Sequence, residues 1–78
     1  MHQTIDGRRK QRNTDCEFAY NAAYSVHGNT IGFSAVATRL GKSWHYEHTL
    51  GFETGAKGVD PATDVRAAVE AWIDTIQL

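Results

Sequence analysis

Seventy-eight residues, 41% of them hydrophobic, make one small domain and leave no room for a second. At this size folding buries only about 60% of the unfolded chain's surface, so a disulfide, a metal or association must supplement the core. Cys16 is the single cysteine, which excludes an internal disulfide and reads as a small hydrophobe in a reducing compartment.

The net charge of -1 hides a split. Residues 1–16 carry Arg8, Arg9, Lys10 and Arg12 against Asp6 and Asp15, whereas the rest of the chain is acidic. The first sixteen residues contain no apolar leader, and no segment approaches the roughly 20 apolar residues that span a bilayer. The expected location is the cytoplasm, with no membrane contact.

All eight aromatic residues lie beyond position 17, so residues 1–16 read as a polar, basic arm. The folded domain is then residues 17–78. From Glu17 to Val26 the chain alternates, with Phe18, Tyr20, Ala22, Tyr24 and Val26 on one face. That period of two marks a half-buried strand. His27-Gly28-Asn29 supplies a tight turn. A second strand runs from about Thr30 to Thr38, pointing Ile31, Phe33, Ala35 and Ala37 inward. Arg39-Leu40-Gly41-Lys42 makes the next turn. A third strand, Ser43 to Leu50, points Trp44, Tyr46, His48 and Leu50 inward.

Residues 51–59 carry Gly51, Gly55 and Gly58 and read as a flexible connection. A helix then starts at Asp60-Pro61. Asp60 suits the cap, Pro61 the first helical position, and Asp64 the positive end of the dipole. Val65, Ala68, Val69, Trp72, Ile73 and Ile76 form one apolar stripe, and Arg66 and Glu70 are spaced for a surface ion pair. The stripe must cover the aromatic face of the sheet. The expected fold is α+β: a three-stranded antiparallel meander with one C-terminal helix on one face, β-β-β-α.

His45-Tyr46-Glu47-His48 is the most chemically suggestive stretch. On a strand His45 and Glu47 share a face and His48 takes the other, which gives too few ligands for a tight zinc site. A solvent-facing His45–Glu47 pair and a half-buried His48 are expected, with no metal and no cofactor. Asp60 and Asp64 are occupied as helix-start residues, and no phosphate loop or nucleophile elbow is present, so no catalytic residue is assigned. Arg8, Arg9, Lys10 and Arg12 can contact phosphates or an acidic protein surface. The outward face of small residues, with Ala19, Ala23, Ser25, Gly32, Ser34 and Val36, allows close approach of another chain.

In length, in the β-β-β-α layout of residues 17–78 and in lacking catalytic motifs, the chain resembles small proteins encoded by phages and mobile elements, among them anti-CRISPR inhibitors. The resemblance implies a stoichiometric, non-enzymatic inhibitor that binds a host nucleic-acid-processing complex and blocks it. Contacts for that protein partner are expected at His45, Glu47, Glu53, Asp60 and Asp64. Two alternatives stand beside it. One is a nucleic-acid-binding accessory protein that grips the backbone with its basic arm; the other is a homodimeric structural or adaptor protein.

Overall fold

A computed structural model of the chain describes residues 3–51 and 60–77. Four strands, β1 (Gln3–Lys10), β2 (Glu17–His27), β3 (Thr30–Arg39) and β4 (Lys42–Gly51), are followed by one helix, α1 (Pro61–Ile73). The strands pair antiparallel in the order β1-β2-β3-β4, a simple meander.

The α+β class and the C-terminal helix agree with the sequence reading, but the sheet has four strands where three were expected. The extra strand comes from the supposed arm: Gln3 to Lys10 pair along β2 from Tyr24 to Glu17. Its inward residues explain why hydrophobic patterning misses it. Ile5 alone is a buried large apolar residue, and Gly7, Arg9 and the following Gln11 continue the inward side with almost no apolar surface.

Elsewhere the alternation sets the core. Phe18, Tyr20, Ala22 and Tyr24 of β2, with Ile31, Phe33, Ala35 and Ala37 of β3, are buried beneath Val65, Val69 and Ile73 of α1. Together with Ile5 they form one cluster, against which Cys16, Trp44, Tyr46 and Leu50 pack half-buried. Val26 departs from its expected inward place and is 40% exposed. Among the described residues the pairing of β1 with β2 reaches only to Tyr24, and none pairs with Val26 on that side.

The β2–β3 and β3–β4 hairpins close with two-residue turns. Gly28 has φ 59°, and Leu40 and Gly41 both lie in the left-handed region, at φ 51° and 80°. Two positive φ values in succession match the twist of the flanking strands. α1 begins as expected, with the Asp60 carboxylate accepting from the Ala62 N–H at 3.1 Å and Pro61 in the first turn. It lies over β1, β2 and β3. The expected flexible connection, with Gly55, Gly58 and the candidate contact Glu53, lies outside the described residues.

Candidate binding surfaces

A polar network fastens β1 to α1. The Arg9 guanidinium grips the Asp74 carboxylate through two parallel bonds, Nε–Oδ1 at 3.1 Å and Nη2–Oδ2 at 2.7 Å, with Glu70 3.8 Å away. The hydrogen bond from Arg9 holds the Asp74 carboxyl below its ordinary range, and Asp74 in turn raises the Arg9 pKa. The Tyr20 hydroxyl donates to Glu70 at 2.9 Å and accepts from Arg66 at 2.7 Å. Burial, and then the bond to Glu70, push the Tyr20 phenol up. Instead of the expected Arg66–Glu70 pair, a tyrosine hydroxyl stands between the two charges. Gly7 makes room for it: a Cβ there would sit 2.8 Å from both the Tyr20 hydroxyl and the Arg66 guanidinium.

Gln11, 2% exposed, finishes this seam. Its side-chain amide donates to the carbonyls of Ile73 and Ile76, each at 2.7 Å, giving Ile73 O a second donor beside the Ile76 N–H and pairing the Ile76 carbonyl beyond the helix end. Its oxygen accepts from the Thr14 hydroxyl. The loop is closed by Gln11 N–H donating to Cys16 O at 2.8 Å. No apolar signal in the sequence marks this residue, because its role is entirely hydrogen bonding.

The strand pairing gathers positive charge at one end of the molecule. Lys10 and Arg12 leave β1 where β2 begins, and the β3–β4 hairpin brings Arg39 and Lys42 to the same end. Arg8 and Arg39 both reach Glu17, the first through its carboxylate at 3.1 Å and the second through its backbone carbonyl at 3.4 Å. Arg8 and Arg9 are thus neutralised by Glu17, Asp74 and Glu70. Lys10, Arg12, Arg39 and Lys42 add further positive charge at this end, Arg12 lying beside Asp74, whose carboxyl its backbone N–H and its charge also hold down. Beside them Arg39, Leu40, Lys42 and Trp44 line a recess of about 250 Å3. Leu40 projects from the hairpin tip, 86% exposed. The sequence pointed to the cations of residues 8–12; it gave no sign that a turn thirty residues later joins them.

The expected acidic contacts are not brought together. His45 and Glu47 lie exposed on the face of β4 away from the helix, as expected for alternate strand positions. Asp60 is occupied as the cap and Asp64 sits in the first turn, at the end of α1 far from Arg9. His48 is exposed, not half-buried, although its ring stacks on Tyr46 at 5.7 Å, because α1 lies over the other three strands. Among the described residues no group of three or more His, Cys, Asp or Glu side chains could hold a metal ion. The outer sheet face carries a shallow depression of about 510 Å3 bordered by Ala23, Ser25, Gly32, Ser34 and Glu47. No described helix is long and apolar enough to cross a membrane.

Comparison of the chain with protein-family models, curated proteins and solved structures finds no match.

Proposed function

We propose that the chain is a non-enzymatic binding domain that docks its basic end on an acidic patch of a protein partner. The observation that carries this reading is the convergence of Lys10, Arg12, Arg39 and Lys42 from separate chain segments, around the exposed Leu40 and the half-buried Trp44. Cations bordering an apolar knob form a common pattern of protein contact, with the apolar centre contributing affinity and the charged rim orientation. The chain as a whole has pI ≈ 6.4, which disfavours a general grip on nucleic acid, since domains built for that purpose are basic overall. With Asp60 and Asp64 at the opposite end, the molecule has an electrostatic direction that would orient it during approach.

Among the described residues, the ionisable groups with shifted titration support the non-enzymatic part of the reading. Arg9, Asp74 and Tyr20 are all engaged in fastening strand to helix. In its most concrete form, following the likeness to small phage-encoded inhibitors, the partner is a host nucleic-acid-processing complex that the domain blocks by occupying it.

Affinity capture from bacterial lysate, with and without nuclease, tests the reading. Recovery of one protein complex that survives nuclease, and is lost with Lys10→Glu, Arg12→Glu and Lys42→Glu combined, supports it. Recovery of nucleic acid alone, lost with the same substitutions, would overturn it in favour of a nucleic-acid accessory protein. These three side chains are exposed, so the triple variant should fold.

A further inference from the structure

The free edge of β4 is complementary to itself. β4 is the last strand of the sheet, and no described element pairs with its outer side. The two-residue turn makes Arg39 and Lys42 the closing hydrogen-bonded pair of the hairpin. Hydrogen bonding to β3 then falls to Lys42, Trp44, Tyr46, His48 and Leu50. The N–H and C=O groups of Ser43, His45, Glu47 and Thr49 therefore point to the open edge.

We propose that a second copy of this chain adds its own β4 there, antiparallel, about a two-fold axis through Tyr46. In that register the two strands overlap from Lys42 to Leu50. On the outer face His45 of each copy stands opposite Glu47 of the other, so imidazole N–H meets carboxylate twice. On the helix side Tyr46 meets Tyr46 and Trp44 meets His48, extending a row of aromatic rings that α1 leaves partly uncovered. Aromatic cross-strand pairs and opposite charges are the pairs that stabilise antiparallel strands.

The neighbouring registers are worse. Centring the axis on His45 or Glu47 sets like residues against each other, and moving it further shortens the overlap. β1, the other edge, is a poorer candidate. Arg66 already donates to the Asp6 carbonyl at 3.0 Å, and the inward Gly7 and Arg9 offer no apolar surface to bury. The product is an open eight-stranded sheet with both helices on one face, within the usual size of such sheets. It also supplies the added burial that so short a chain needs.

The test is molar mass by light scattering across concentration, expecting twice the 8.7 kDa chain mass as concentration rises. His45→Glu places a carboxylate opposite Glu47 on both sides of the axis and should weaken the dimer roughly tenfold. Adding Glu47→Lys to the same chain restores opposite charges and should recover the lost affinity. Both positions are exposed in the single chain, so neither change touches the core. A chain that stays monomeric at several hundred micromolar would overturn the proposal. So would a dimer whose affinity ignores both substitutions, since it would have to form elsewhere.

Discussion

The two edges of the sheet are fastened to the helix by different chemistry. β1 is held by directed polar contacts: Arg9 to Asp74, Arg66 to the Asp6 carbonyl, and Gln11 to the carbonyls that end the helix. β4 is held by rings, with Tyr46 stacked on Trp72 at 5.1 Å and Trp44 edge-on to Phe18 at 5.3 Å. The polar edge is specific, because each donor fits one acceptor, and it is vulnerable to losing a single atom. The aromatic edge tolerates small shifts and leaves surface over, which is where a second chain can attach.

The largest expected effect breaks the polar edge at its most buried point. Gln11→Glu replaces an amide donor by a carboxylate facing the Ile73 and Ile76 carbonyls at a position 2% exposed. The cost should be about 3 kcal/mol, against about 2 kcal/mol for Gln11→Ala, which takes the amide donor from the Ile76 carbonyl, leaves Ile73 O with the Ile76 N–H, and adds no charge. Urea denaturation ranks them. If Gln11→Ala proved the more damaging, the helix end would be satisfied by some other group.

Trp72→Ala breaks the aromatic edge instead. Trp72 is half-buried, so the loss should fall below that of a full core truncation, at about 2 kcal/mol. Its ring is the stacking link between α1 and β4, and amide exchange should therefore quicken in β4 before β1. Uniform quickening in both edges would show that the two are not independently fastened.

This contrast also explains what the sequence revealed. β2, β3 and α1 announce themselves because Phe18 to Tyr24, Ile31 to Ala37 and Val65 to Ile73 bury apolar side chains at fixed periods, and β4 because Trp44, Tyr46 and Leu50 pack half-buried at a period of two. β1 turns Ile5, Gly7 and Arg9 inward with only Ile5 buried, and Arg9 and the following Gln11 find their partners some sixty residues away. A pattern method that counts apolar residues has nothing to count there. The basic end was half legible for a similar reason. Arg8 to Arg12 form a visible run, whereas Arg39 and Lys42 join them only through the β2–β3 register. The acidic set of Glu47, Asp60 and Asp64 was grouped by charge alone, and the fold spreads it over a strand and a helix start.

A smaller effect, read through pH, probes the Arg9–Asp74 contact. Asp74 titrates below its ordinary value of 3.8 in the folded chain, chiefly through the hydrogen bond from Arg9. A carboxyl whose folded pKa is depressed contributes stability above its unfolded pKa and loses it as pH falls through the folded one. Stability should therefore decline as acid is added below about pH 5. Arg9→Met should flatten that decline, measured as urea midpoints across the acidic range. An unchanged slope would mean that other carboxyls carry the acid sensitivity.

The smallest expected change in stability has the opposite sign. Leu40 holds φ 51° with its side chain in water, a conformation that costs an ordinary residue about 1 kcal/mol and that asparagine tolerates. Asn followed by Gly41 is the preferred pair for this turn, so Leu40→Asn should stabilise the fold by roughly 0.5–1 kcal/mol. A leucine kept where it weakens the turn is a reason to look for contact at that point. If Leu40 is the apolar centre of the basic end, Leu40→Asn raises the melting temperature while weakening partner capture. The β4 dimer, whose pairing begins two residues further on at Lys42, should keep its affinity. Stabilisation with partner capture intact would remove Leu40 from the docking surface and leave the cations to carry the contact alone.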